Sequence, residues 1–568
     1  MKVVIIGGVA GGASAAARLR RLDERAQIII FERSGFVSYA NCGLPYYIGG
    51  KIKSKSALTL QTPQSFMSRF NIDVRVRHEV MSIDRQNKKV TVKNIETGEI
   101  FEENYDKLIL APGAAPIRPG LAGIDSKKIY TLRTVEDTFR IKDIAASGRL
   151  HSAVIIGGGF IGVEMAENLK ELGLDVSIVE RQSQLLVQLD SDMASFIHSH
   201  IRSESINLLL NKSVSAFKDT KRGILTEFED GGSVFSDMVI LSVGVSPESG
   251  LAKSAGLELG VKNSIAVNAG MQTSDPDIYA VGDAVQTINP ITGAETVVAL
   301  AGPANKQGRI AADNICGLNS SYKGSVAASV LKVFDMTAAS VGINEASAKA
   351  AGINYEKVIL SPASHASYYP DASVMTLKLL FEKDTERILG AQIVGFEGVD
   401  KRIDVISTAM QAKMKVTQLK ELDLAYAPPY SSAKDPVNMA GFIAENIITG
   451  KVKQFFYEDI SGLADDAQLL DTRTDSEYNS GHADGFDTHI PVDLLRQRMD
   501  ELDITRPLYV MCQSGLRSYI ACRILSQNGF DCYNFAGGYR MYSSIKNDCF
   551  DEKSSTSCGL EPLTTGIK

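Results

Sequence analysis

The 568-residue chain lacks the features that most directly mark membranes and nucleic acids. No apolar run reaches the ~18 residues that a bilayer span requires. No basic run stands out, and a net charge of -7 gives no footing on a polyanion. Cysteine is scarce, with seven unevenly spaced residues, so no disulfide framework is implied. Such usage fits a reducing cytoplasm, where a special cysteine is catalytic rather than structural. One cysteine, Cys42, precedes Cys316. What remains is an ordinary globular composition, 44% apolar and 22% charged, in a chain too long for one core. Roughly three or four domains are expected.

The N-terminal stretch MKVVIIGGVAGGASAAARLRR has the outline of a signal peptide: a basic residue, an apolar stretch and small residues. A strand, a glycine turn and a helix explain it better. Lys2 to Ile6 enter Gly7-Gly8-Val9-Ala10-Gly11-Gly12, a helix is predicted from Ala13 to Arg21, and Ile28 to Phe31 end on Glu32, beside Arg33. In this βαβ dinucleotide pattern the glycines allow a tight turn and close packing. The helix N-terminus takes the pyrophosphate and the acid binds ribose hydroxyls. Gly7, Val9, Ala10, Gly12 and Glu32 hold the key positions, Val9 departing from glycine. A second copy is clean: strand Ala153 to Ile156, turn Gly157-Gly158-Gly159-Phe160-Ile161-Gly162, helix Val163 to Leu172, strand Val176 to Val179, then Glu180. Gly157, Gly159, Gly162 and Glu180 are its binding positions. Glu180 favours NADH over NADPH, a preference that Arg181 would soften. Two such units suggest FAD in the first and NAD(P)H in the second.

Further motifs carry a family resemblance. Thr273 to Asp283, TSDPDIYAVGD, ends in Gly282-Asp283 and resembles the second flavin signature of two-dinucleotide flavoproteins, where the Asp binds the ribityl chain of FAD. Ala111-Pro112-Gly113 resembles that family's crossover between flavin and nicotinamide domains. The match runs from residue 1 to about residue 445. It implies an α/β protein with two Rossmann-like domains, binding FAD (1–115 plus 245–320) and NAD(P)H (116–244), followed by an α+β dimerisation domain (321–448).

In this family the stretch after the first βαβ unit carries the redox cysteine. Glutathione-reductase-like members have CxxxxC there; here Tyr47 holds the second place, so an internal dithiol is excluded. Leu424 to Asn438 contain no histidine to protonate a leaving thiol, and the first glycine turn has Ala10 where peroxidase relatives place a histidine. SYANCGLPYYIGG closely resembles the active-site stretch of coenzyme A disulfide reductases. Pro45 fits the first turn of a helix whose N-terminus is expected to lower the Cys42 pKa. Ser14, Arg18 and Arg21 share a helix face, and with Ser38 and Asn41 match the family's coenzyme A pocket. Asn305, Arg309 and Lys434 are expected to complete it. HASYYP (365–370) and YAPPYSSAK (426–434) resemble the dimerisation domain, in which two tyrosines of the partner subunit reach the cysteine. Tyr368 and Tyr426 take those roles, with Tyr369 and Tyr430 as close rivals. A homodimer follows.

After a predicted linker (449–460), residues 461–550 resemble a rhodanese domain, and a polar tail (551–568) reads as disordered. Strand Pro507 to Met511 runs into Cys512-Gln513-Ser514-Gly515-Leu516-Arg517-Ser518. Inward N–H groups and Arg517 would stabilise a thiolate or persulfide at Cys512. Asp471 and Arg473 read as fold-stabilising, and Cys316, Cys522 and Cys532 as packing residues. His198 and His200, two apart, split across a helix, so no metal site is expected. The combined expectation is an NAD(P)H-dependent flavoprotein that reduces persulfides, polysulfides or coenzyme A disulfide through Cys42, with sulfane sulfur handled at Cys512. Plain coenzyme A disulfide reductase, water-forming NADH oxidase and a thiol redox sensor stand as alternatives.

Overall fold

The computed structural model describes residues 1–550 and 558–560. The chain divides into two compact units, Met1–Gln182 with Leu209–Ala327, and Ser183–Leu208 with Ala328 onward.

In the first unit the apolar run Lys2–Ile6 is a central parallel strand, flanked by Gln27–Glu32 and Lys107–Leu110, with Asp73–Val76 and Ile278–Ala280 outside them. The run is unbroken Val-Val-Ile-Ile because both faces of a parallel sheet are covered. Helix Ala10–Leu22 covers one face and packs against helix Ala301–Ile315. A second parallel sheet carries Asp175–Val179, Ser152–Ile156, Met238–Leu241 and Ile129–Tyr130 in that order. The short antiparallel pair Ala114–Pro116 with Val245–Pro247 links the two halves. Both glycine-turn helices begin three residues earlier than the sequence suggests, at Ala10 and Phe160. Each turn spends its last three residues, Ala10-Gly11-Gly12 or Phe160-Ile161-Gly162, on the first helical turn, and the closing glycine lets the helix pack against the turn.

The second unit holds an antiparallel sheet in the order Ser329–Val333, Met336–Gly342, Ile388–Gly395, Met375–Glu382, Tyr355–Leu360. Ile388–Gly395 is buried throughout, so this sheet too is covered on both faces. Helices Val399–Gln411 and Pro436–Ile448 follow it. Helix Ser191–Ser203, assigned by sequence to the nucleotide domain, groups with this unit. Its buried His198 donates from Nδ1 to Asp548 at 2.7 Å and accepts the Leu185 N–H at Nε2, while Ser195 bonds Ser544 at 2.7 Å.

The C-terminal sheet is parallel, ordered Lys453–Phe455, Cys532–Phe535, Leu508–Met511, Gln468–Asp471, Thr488–His489. Its edge strand lies in the segment expected to be a linker. Phe455 explains why: it is buried with its ring centroid 4.9 Å from those of both Tyr509 and Phe535. The expected disordered tail also needs correction at residues 558–560. Cys558 and Leu560 are buried, and the Val374 N–H donates to the Leu560 carbonyl at 3.3 Å. Residues 551–557 and 561–568 of that tail lie outside the described residues. Among the described residues no helix is long and apolar enough to cross a membrane.

Candidate active sites around two cysteines

The two glycine turns share one geometry. A Cβ on Gly12 would stand 2.0 Å from the Gly7 carbonyl oxygen, and one on Gly162 equally 2.0 Å from that of Gly157, so neither position admits a side chain. Glu32 accepts from the Gly8 N–H at 2.9 Å and Glu180 from the Gly158 N–H at 2.7 Å, each acid closing its own turn. No side chain caps either following helix, at Val9 or at Gly159, which leaves first-turn N–H groups for a pyrophosphate. A Cβ on Gly159 would meet no protein atom within 4 Å, so open space lies at that helix entrance. These residues fit a dinucleotide in each unit. Ala10 opens the first helix, and Arg33 pairs with Glu248 at 2.6 Å. Pro112-Gly113 and Gly282-Asp283 follow neighbouring strands, and Asp283 accepts from Arg133 at 3.3 Å.

Cys42 lies in a short 3-10 turn, Asn41–Gly43, ahead of helix Leu44–Ile48, and is exposed. Pro45 occupies the first helical turn as expected. The expected drop in thiol pKa is not found. Desolvation by the surrounding protein, then the carboxylates of Glu164 and Asp283, push the Cys42 thiol up, and Arg133 opposes them. A helix of five residues has too small a dipole to outweigh that. Glu164, on helix Phe160–Glu171, accepts from the Tyr46 hydroxyl at 3.4 Å, and burial raises its carboxyl to about 7. The Tyr46 hydroxyl is pushed up by its own burial and by Glu164. Glu164, Tyr46 and Arg133 were not singled out from the sequence.

Ser14, Arg18, Arg21, Ser38, Asn305 and Arg309 line one cavity of about 370 Å³, with Gln61, Phe66 and Phe70. Ser14 donates to Asn305 at 2.7 Å, and Arg18 pairs with Asp313 at 2.6 Å. Arg21 and Arg309 are exposed and offer their guanidinium groups to a ligand. Ser38 has a left-handed backbone (φ 47°), held by its N–H donating to the Gly8 carbonyl at 2.8 Å. Asn41 is absent from this lining; its amide faces Arg133. Lys434 belongs to the second unit and is exposed. So do Tyr368 and Tyr426, 71% and 46% exposed, whose hydroxyls meet at 2.7 Å. Tyr369 and Tyr430 are exposed as well.

Cys512 contrasts with Cys42 in being fully buried. The Gly515 N–H points at its sulfur at 3.1 Å, and the Ser518 hydroxyl donates to it at 3.2 Å. The loop is packed so closely that a Cβ on Gly538 (φ +66°) would fall 2.5 Å from the Cys512 carbonyl oxygen. Asp471 and Arg473 form a buried pair at 2.7 Å, with the Arg473 guanidinium 4.0 Å above the Tyr539 ring. Arg517, expected to lend the sulfur its charge, interacts electrostatically with Cys512 and is also held by Glu477 in two hydrogen bonds of 2.7 Å. Cys522 and Cys532 are buried, and Cys316 is half-buried. His198 is spent on Asp548. His200 lies with Glu204 and Asp335, ligand atoms within 4.8 Å of one another, a grouping of a kind that could hold a metal ion and that the His198–His200 spacing did not suggest.

Residues 1–308 match the family model described as pyridine nucleotide-disulphide oxidoreductase, and residues 328–436 match its dimerisation domain. The chain belongs to this family. Residues 457–544 match a rhodanese-like domain. Members use FAD and NAD(P)H, and the fit of both glycine turns to dinucleotides agrees with that. Coenzyme A disulfide reductase of Staphylococcus haemolyticus is 37% identical over 447 residues, 78% of this chain and all of that one. Reduced CoADR-RHD of Bacillus anthracis superposes with a TM-score of 0.94 at 46% identity, covering 96% of this chain and 98% of that one. A NAD-dependent persulfide reductase from A. fulgidus gives 0.90 at 38% identity, covering 95% and 100%. As a family member the protein is an oxidoreductase.

Proposed function

We propose that this flavoenzyme uses NADH to reduce the sulfur–sulfur bond of coenzyme A persulfide or coenzyme A disulfide at Cys42, and that the rhodanese domain handles sulfane sulfur at Cys512. The observation that carries the reading is the arginine-lined cavity one turn of chain from a single redox cysteine, in a molecule that also holds a second, cradled cysteine. Arg18, Arg21 and Arg309 suit the phosphates of coenzyme A, since guanidinium groups stay charged and pair bidentately. Bound FAD would relay an electron pair from NADH to sulfur.

With a persulfide R–S–SH, the Cys42 thiolate attacks the R-bearing sulfur. The S–S bond breaks, hydrosulfide leaves, and a Cys42–S–S–R mixed disulfide remains. Two electrons and a proton then return Cys42 thiolate and R–SH. A family tyrosine pair donated by the partner subunit, Tyr368 and Tyr426, would supply a hydroxyl to the leaving sulfur where no histidine stands. Glu180 supports NADH as the donor, because a carboxylate repels a ribose 2′-phosphate.

The deciding experiment is anaerobic turnover with NADH and either coenzyme A persulfide or coenzyme A disulfide, following NADH loss and sulfide release. Faster turnover with persulfide, matched by stoichiometric sulfide, is the expected result. Faster turnover with the disulfide would make the protein a thiol-pool reductase and leave the rhodanese domain a separate activity.

A further inference from the structure

Two arginines of the rhodanese domain, Arg473 and Arg517, already have carboxylate partners. Arg473 is spent on buried Asp471, the Gly481 carbonyl and the Tyr539 ring. Arg517, near enough to feel the Cys512 charge, is clamped by both oxygens of Glu477. Glu477 is itself fixed: its Oε2 also accepts from the Thr474 N–H and hydroxyl, each at 2.9 Å. These bonds hold its carboxyl down at about 2, so it is ionised at any working pH. The pair is partly open to solvent, at 29% and 32% side-chain exposure, whereas Cys512 is not. A donor molecule therefore meets an arginine whose charge Glu477 cancels, near a sulfur that accepts from the Gly515 N–H and the Ser518 hydroxyl.

We infer that Glu477 is a specificity-determining residue, which turns the rhodanese site away from dianionic oxyanion donors such as thiosulfate and toward persulfides of organic thiols. The inference rests on the proposal that Cys512 handles sulfane sulfur. In thiosulfate the negative sulfonate is bonded directly to the sulfane sulfur, so its charge must enter a site whose arginine Glu477 has already neutralised. In R–S–SH that place is taken by a neutral sulfur and carbon. The transfer is the same in both cases. The Cys512 thiolate attacks the sulfane sulfur and the donor S–S bond breaks. A Cys512 persulfide forms, and sulfite or R–S⁻ leaves with the bonding pair, without net oxidation.

The test uses the full-length, FAD-loaded protein without NADH, cyanide as acceptor, and two donors, thiosulfate and the persulfide of mercaptoethanol. Glu477→Gln, which keeps the shape and can still bond Thr474, is expected to raise the thiosulfate-to-persulfide ratio of kcat/KM by about tenfold or more. In the unaltered protein, kcat/KM for thiosulfate should climb toward about 1 M salt, where the Debye length falls to about 3 Å, while that for the persulfide, a monoanion whose charge sits on the transferred sulfur, changes less. This second measurement needs no variant. An unchanged ratio, an equal fall with both donors (Glu477 merely positioning Arg517), or a salt response alike for both would overturn the inference. The underlying reading fails separately, if Cys512→Ser leaves transfer from both donors intact.

Discussion

The two cysteines hold their sulfur in opposite ways. Cys512 is buried, and its own loop aims an N–H and a hydroxyl at the sulfur; a site of this kind is complete within about seven consecutive residues of a strand–loop–helix turn. Cys42 is exposed, and its loop supplies neither charge nor cap. What surrounds it comes from distant segments: Glu164 and Asp283, which push the thiol up, and Arg133, which opposes them. A cradle built into one loop can be inherited as a unit. On the proposed function, a sulfur site assembled from distant segments would depend on its cofactor, its substrate and its partner subunit for activation, as suits a cysteine that passes electrons rather than stores sulfur.

Substitutions can break this comparison. The largest effect should come from Cys42→Ser, lowering NADH-dependent sulfur reduction by roughly 10³-fold or more with cyanide-linked sulfur transfer intact; an active variant would remove Cys42 from the mechanism. Cys512→Ser should do the reverse, abolishing transfer and slowing reduction of inorganic polysulfide more than of a small persulfide. Equal reduction rates on both would make the second site a passenger. Arg473→Met strips the partner from buried Asp471, so the rhodanese domain should lose about 3–5 kcal/mol in denaturant melts while flavin-linked turnover at low temperature persists. Tyr368→Phe with Tyr426→Phe should cost roughly 10²-fold in disulfide reduction, the scale of a lost proton donor, measured at saturating NADH.

The smallest effect is a pH dependence. Glu164 has its carboxyl raised from 4.5 to about 7 by burial. The folded chain therefore holds a proton that the unfolded chain releases, and this group's stability contribution, full below about 4.5, is lost as pH rises through about 7. Glu164→Gln should flatten that fall in urea melts between pH 5 and 8. An unchanged slope would mean that Glu164 titrates normally.

Much of this was legible because it is local in sequence. Each dinucleotide unit announces itself within about thirty residues, through glycines, an apolar strand and a terminal acid, and Cys42 follows the first unit directly. The cavity was legible only in part. The Ser14, Arg18 and Arg21 face follows from helical spacing, but Asn305 and Arg309 lie on a helix some 290 residues on, and came through family resemblance alone. Glu477 reaches Arg517 across 40 residues, and Glu164 reaches Tyr46 across 118. Nothing in local pattern joins such pairs. The strand Lys453–Phe455 has three residues, too few for a period to show, and it exists because a partner strand 80 residues later closes over it.

The docking of helix Gly538–Phe550 against helix Ser191–Ser203 has a consequence for anyone who would treat the chain as interchangeable modules. Cutting after residue 450 would strip Asp548 from His198 and Arg202, Ser544 from Ser195, and Glu458 from Lys357, uncovering polar groups that now face protein. The rhodanese domain is thus fastened by its far end as well as by its entry strand. Swapping in another rhodanese-like domain would require carrying over that final helix, and a shortened chain would report the damage of amputation along with any loss of activity.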